Sequence, residues 1–116
     1  KNNLSYVRAC EDREQLKQTI MNGYVSYISY WGSDIHGNEI FRDIMYVMAD
    51  AILKARKGKL KYRCTRYSEK EIYDKFSKID VQDLRDIVWQ IENNDEIKDI
   101  SLYTLGALIN RADEKG

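Results

Sequence analysis

The segment between Asn38 and Lys57 carries the longest apolar periodicity of the chain, and it restricts the possible folds most. Its apolar side chains repeat at spacings of three and four and form two adjacent stripes, which together cover a wide arc of a helix. A helix of this kind must be contacted on two sides, so we expect it at the centre of the fold. Asn38 is a favourable N-cap, and Gly58 is a favourable stop. The stripes are Ile40, Ile44, Val47, Ala51 and Ala55, and Phe41, Met45, Met48 and Ile52.

Shorter amphipathic patterns flank this segment on both sides. The chain has no proline, so glycines and capping residues must set the helix ends. Ser68 followed by Glu71 is a capping-box pattern, and Asp80 and Asp99 are expected N-caps. The predicted helices cover 11–22, 38–57, 68–76, 80–93 and 99–112. Their main apolar positions outside the central helix are Leu16, Ile20, Ile72, Tyr73, Phe76, Val81, Leu84, Ile87, Val88, Ile91, Leu102, Leu105, Leu108 and Ile109.

Two segments do not show helical periodicity. Residues 24–31, with the sequence YVSYISYW, fit either a strand or an apolar segment lying across helices, and periodicity does not separate the two. Residues 59–67 alternate between the two sides of an extended chain, which predicts an arm, an edge strand or one short β-hairpin. The predicted fold is therefore mainly all-α, a compact domain of four to five helices.

The length of 116 residues predicts one domain. We expect residues 1–9 to be the remnant of a linker, 10–112 to form the helical domain, and 113–116 to fray. The chain starts at Lys1 rather than at methionine, which we interpret as a piece of a longer protein. No apolar run has the length of a signal peptide or of a membrane span, and two cysteines far apart suit free thiols, so we expect a cytoplasmic protein.

The sequence contains no motif that is typical of an active site. The single histidine, His36, lies in a predicted loop between glycines, without a metal partner or a nucleophile nearby. No glycine-rich phosphate loop is present. The carboxylates suit helix caps and solvated helix faces, although a pair that meets across the fold stays open. We therefore expect no enzymatic activity, no cofactor, no metal ion and no small-molecule substrate.

Charge is distributed unevenly although the net charge is zero. Eight cations and only one acid, Glu69, lie between Lys54 and Lys70, whereas acids dominate between Asp80 and Asp99. One interpretation is a helix end matched to its dipole, followed by an edge strand that lysines protect from aggregation. The other is a phosphate-binding arm. The candidate residues for nucleic-acid contact are Lys57, Lys59, Lys61, Arg63 and Arg66.

Four blocks resemble, in order, the C-terminal domain of replication initiator A proteins, which are encoded by plasmids and integrated elements of low-GC Gram-positive bacteria. The blocks are REQLKQTI (13–20), FRDIMYVMADAIL (41–53), KFSKID (75–80) and DISLYTLGALINRA (99–112). The last block is the most telling, because its apolar and small residues and Asn110 stand where the family has its own. The sequence departs from the family at 59–67, which is more basic, and at Asp99, where asparagine is more usual.

The resemblance implies a fold similar to the DnaD primosome domain. It also implies an N-terminal winged-helix domain that binds the origin, and a linker to the present domain. In the family this C-terminal part is tied to host specificity and is thought to engage host replication machinery such as DnaG primase. The candidate partner-binding residues are Tyr103, Asn110 and Arg111.

Three functional hypotheses follow from the sequence. The first is a non-enzymatic domain of a replication initiator that docks a host replication protein, either primase or another primosome component. The second is an auxiliary module that binds DNA without sequence specificity through the basic segment at 54–70. The third is a structural domain that associates with itself.

Overall fold

The computed structural model describes residues 10–24 and 35–116. Within them the fold is mainly helical, with one small antiparallel hairpin, which confirms the predicted fold class. In the same residues no helix is both long and apolar enough to cross a membrane. The elements, in chain order, are α1 (Arg13–Asn22), α2 (Ile35–Arg56), β1 (Lys61–Tyr62), β2 (Thr65–Arg66), α3 (Glu69–Phe76), α4 (Val81–Asn93) and α5 (Ile100–Glu114).

Helix α2 lies at the centre of the described fold, as its two apolar stripes predict. It packs against α1, α3, α4 and α5. Phe41, Ile44 and Met45 are almost completely buried, and of the predicted stripe residues only Val47 is half-buried. Burial of one large apolar side chain contributes about 2 kcal/mol, so this helix supplies much of the stability of the domain.

The start of α2 differs from the prediction. The helix begins at Ile35 rather than after an N-cap at Asn38, so the backbone at His36 is helical and not a loop. No proline lies in 35–37, and a favourable cap residue does not by itself stop a helix that can extend upstream. The ambiguous segment at 24–31 falls outside the described residues except for Tyr24. Its hydroxyl donates to the Ile79 carbonyl at 2.9 Å.

The other three predicted N-caps, Ser68, Asp80 and Asp99, are confirmed. Ser68 and Glu71 form a capping box at the start of α3, and Asp80 and Asp83 form one at the start of α4. The Asp99 carboxylate accepts a hydrogen bond from the Leu102 N–H at 3.0 Å and caps α5. These side chains satisfy N–H groups that a helix start leaves without a backbone acceptor.

The end of α2 leads directly into the hairpin. Gly58, at φ +72°, allows the Lys59 N–H to reach the Lys54 carbonyl at 2.8 Å, which is the Schellman arrangement. The two strands then pair Lys61 with Arg66 and Tyr62 with Thr65. Residues 59–67 therefore contain a short hairpin and do not form one continuous extended arm.

The turn of this hairpin is formed by two residues that are not glycine. Arg63 and Cys64 both have positive φ, at 51° and 68°. This is the pattern of a type I′ turn, which matches the twist of the strands but favours asparagine and glycine. The hairpin therefore stores local backbone strain at its tip.

Residues of the C-terminal tail, for which the sequence predicts fraying at 113–116, make contacts with the rest of the fold. Helix α5 continues to Glu114, and Asp113 pairs with Lys75. The Lys115 ammonium contacts both carboxylates of the α4 capping box, those of Asp80 and Asp83. Ion pairs with α3 and with the start of α4 therefore hold Asp113 and Lys115 against the fold.

We expect the double substitution Arg63→Asn/Cys64→Gly to stabilise the domain by about 1 kcal/mol, because both new residues adopt positive φ more easily. Urea unfolding followed by circular dichroism measures the change. Arg63→Ala/Cys64→Ala is the matched control, since alanine retains the β-carbon that opposes this conformation. Equal stabilisation by both variants would contradict the assignment of strain to the turn.

We expect the contribution of Asp80 to stability to disappear in acid. Its carboxylate accepts the Asp83 backbone N–H and then contacts Lys115, and these interactions lower the pKa of Asp80 below its ordinary value of 3.8. A lowered folded pKa stabilises the fold above pH 3.8 and loses this effect as pH falls through the folded value.

Asp80→Asn preserves a good cap but removes the charge. The free energy of unfolding of this variant should lie below that of the native chain at neutral pH and approach it in acid. Asp95→Asn, in the exposed loop before α5, is the control. The same acid-dependent difference in both variants would count against the role of Asp80.

Candidate functional site

An open depression of about 740 Å³ lies between the hairpin and α5. We name it the hairpin groove. Lys61, Tyr62 and Arg63 form the hairpin side of this groove. The loop before α5 and then α5 itself form the other side, which consists of Ile97, Lys98, Asp99, Leu102, Tyr103, Gly106, Ala107 and Asn110.

The contact between Tyr62 and Gly106 fixes the position of the hairpin beside α5. A β-carbon at position 106 would overlap the Tyr62 hydroxyl oxygen and lie 3.0 Å from Cζ of the ring. Glycine inside a helix costs about 1 kcal/mol relative to alanine. At this position it permits the tyrosine ring to approach the helix backbone, so that the hairpin forms a wall of the groove.

Leu102 is the main exposed apolar side chain of the groove. Its predicted companions on α5 are buried or half-buried, but Leu102 itself is 56 % exposed. It stands seven residues before the buried Ile109 and so lies on the same side of the helix. Periodicity therefore predicted a buried leucine where the structure has an exposed one.

A second depression, of about 570 Å³, lies on the other side of Leu102. We name it the lysine groove. Its walls come from α2, from the base of the hairpin and from the first turns of α5, and it shares Lys61, Asp99 and Leu102 with the hairpin groove. Four lysines line it: Lys54, Lys57, Lys59 and Lys61.

Among the described residues, the lysine groove carries an excess of positive charge. All four ammonium groups are exposed, and none forms a hydrogen bond or ion pair with another residue of the described chain. The acids at its edge are already engaged, because Asp50 pairs with Arg13 at 2.8 Å and Asp99 caps α5. An anionic ligand would therefore meet cations that have no competing partner within 10–24 and 35–116.

The five predicted nucleic-acid contacts do not form one face. Lys57 and Lys59 line the lysine groove, and Lys61 lines both grooves. Arg63 lines the hairpin groove, where its guanidinium carbon lies 5.5 Å from the centroid of the Tyr62 ring. Arg66 instead donates to the Gly58 carbonyl and closes the base of the hairpin. Four of the five residues are thus placed at a groove.

The predicted partner-binding residues are also divided. Tyr103 and Asn110 both line the hairpin groove. Arg111, one residue further and therefore turned by about 100°, faces α4. There its Nη1 donates to Asp83 at 3.2 Å and to Asp86 at 3.1 Å. Arg111 therefore compensates a buried carboxylate inside the fold, and its assignment to partner binding stays a prediction.

Several residues of the hairpin groove carry no sequence signal for a site, among them Ile97 and Lys98. Both lie in the loop between α4 and α5, and only their position next to the hairpin brings them to the site. Lys54 was interpreted as a helix-end charge, and its place in the lysine groove depends equally on the neighbouring elements. Contacts of this kind have no local sequence signal.

Within the described residues, the fold is a helical domain with two open depressions on its surface. No group of three or more His, Cys, Asp or Glu side chains that could hold a metal ion occurs in the described residues. Comparisons with protein-family models, with curated proteins and with solved structures give no significant match.

We expect Gly106→Ala to reveal the contact with Tyr62. In a Tyr62→Ala background, where the ring is absent, the substitution should stabilise the domain by about 1 kcal/mol through helix propensity. In the native background the overlap with the tyrosine should remove this gain. Urea unfolding of the native chain, both single variants and the double variant gives the coupling free energy. The same gain in both backgrounds would contradict the close approach.

Proposed function

We propose that this chain is the C-terminal accessory domain of a replication initiator of the replication initiator A type. In this proposal it is not an enzyme, and it acts in the bacterial cytoplasm by docking a host replication protein such as primase. Three features support it: the order of the four resembling sequence blocks, the mainly helical fold, and the open groove along α5.

One observation carries the proposal. The most telling block of the resemblance, 99–112, coincides with α5, the helix that forms a wall of both grooves. Part of this block fills the core, as Leu108, Ile109 and Ala112 do. Tyr103 and Asn110 instead face the hairpin groove beside the exposed Leu102. Tyrosine is common at the centre of protein interfaces, so this surface suits a protein partner.

The lysine groove supports a second candidate function. Its four lysines have no partner in the described chain, and phosphates bind to cations of this kind without reading base sequence. In this alternative the domain is an auxiliary, non-specific DNA-binding module. We place it second because the exposed leucine at the boundary between the grooves has no role in phosphate binding.

Retention of purified bacterial DnaG primase on the immobilised chain tests the first proposal. We expect the native chain to retain primase and Leu102→Asp to lose it, because a charge at the groove opposes an apolar contact. Trp89→Asp is the matched control, since Trp89 is 59 % exposed on α4 and lines neither groove. Failure of the native chain to retain primase would count against the proposal.

Binding of a labelled DNA duplex and of a single strand tests the alternative. Under the first proposal both bind weakly, and the affinity falls steeply with salt. Sub-micromolar binding at physiological salt that is lost when Lys57, Lys59, Lys61, Arg63 and Arg66 become glutamine would favour the DNA-binding module. Arg42→Gln, on an exposed position of α2, controls for loss of a single charge. A dimer in sedimentation with neither ligand bound would indicate self-association instead.

A further inference from the structure

We infer that the hairpin groove binds an acidic, amphipathic helical segment of the partner protein. This inference rests on the proposed function, because it specifies the chemistry of the protein that the domain docks. Three properties of the groove lead to it: the apolar floor, the spacing along α5 and the charge of the rim.

The apolar side chains on the floor of the groove are accessible to a partner, because no other segment of the described chain occupies the groove. Leu102 is 56 % exposed, and Tyr103 and Ala107 next to it are half-buried. An exposed leucine beside a tyrosine gives apolar area that a partner would remove from water, which is the main source of affinity in such contacts.

The spacing of the lining residues suits a helix better than an extended peptide. Tyr103, Ala107 and Asn110 stand four and three residues apart, and so lie one above the other on one side of α5. The small side chain of Ala107 lies between the two larger ones and leaves room for a closely approaching backbone. From Leu102 to Asn110 the wall extends about 12 Å, which matches two to three turns of a partner helix.

The rim of the groove determines the charge of the occupant. Lys61 and Arg63 approach from the hairpin, and Lys98 approaches from the loop before α5. Asp99 is the one acid among the described lining residues, and its carboxylate is held by the Leu102 N–H as the cap of α5. Three cations against one engaged acid favour glutamates or aspartates on the flanks of the bound helix.

Nucleic acid fits this groove less well than a peptide does. Of the described lining residues, only Tyr103 and Tyr62 offer aromatic faces, and the Tyr62 ring packs on Gly106 with Arg63 close to it. Leucine and alanine provide no stacking platform for bases. The cations that suit phosphates best, Lys54, Lys57 and Lys59, lie in the other groove.

A library of random peptides of about 16 residues, selected on the immobilised chain, tests the inference. We expect enrichment of peptides with apolar residues spaced three and four apart and with acidic flanks. The most enriched peptide is then synthesised, and its affinity is measured by fluorescence anisotropy. Leu102→Asp and, separately, Lys61→Glu/Arg63→Glu/Lys98→Glu should each weaken binding about tenfold or more.

Trp89→Asp and Arg42→Glu are the matched controls for the two kinds of change, and both should bind the peptide as the native chain does. Enrichment of basic or purely polar peptides would overturn the inference, as would equal affinity of the groove variants or absence of any groove-dependent peptide. A labelled single strand that competes with the peptide and is lost in the same triple variant would assign the groove to nucleic acid instead.

The outcomes also separate this inference from the function on which it rests. If primase is retained equally by the native chain and by both groove variants, the inference fails while the docking function stands. If the acidic peptide depends on the groove but primase is not retained, the docking of primase fails while the peptide site stands.

Discussion

The wide apolar arc of α2 is the constraint on which the rest of the fold depends. A helix with two apolar stripes is stable in water only when neighbours cover both, and here four other helices do so. Each neighbour can be short because α2 supplies the common surface against which it packs. The hairpin is not needed for this coverage. It is held instead by Leu60 at its base and by the contact of Tyr62 with Gly106, which places it at the edge of the core.

Features that depend on neighbours in the sequence could be predicted, and features that depend on neighbours in space could not. Caps such as Ser68 and Asp80 were predictable because a side chain bonds a backbone group three residues away. The start of α2 was not, since local preference at Asn38 did not decide where the helix begins. The exposure of Leu102 and the pairing of Arg111 with α4 depend on which elements lie alongside α5, and no spacing encodes that.

The same distinction applies to the binding surface. The sequence gives two separate sets of candidate residues. Tyr103 and Asn110 come from the family resemblance, and the basic segment comes from the distribution of charge. In the structure the hairpin brings Lys61 and Arg63 next to Tyr103 and Asn110, so two predicted sites share one groove. Under the docking proposal, the apolar floor would supply the affinity and the cationic rim would supply the charge discrimination.

The two cysteines differ in accessibility, and this difference has a practical use. Cys10 is half-buried, and its sulfur lies 3.3 Å from the Thr19 hydroxyl, whereas Cys64 stands exposed at the hairpin tip. A maleimide dye would therefore react first at Cys64, without any engineering of the sequence. Because position 64 directly follows the groove residue Arg63, the emission of such a dye would report occupancy of the groove in real time.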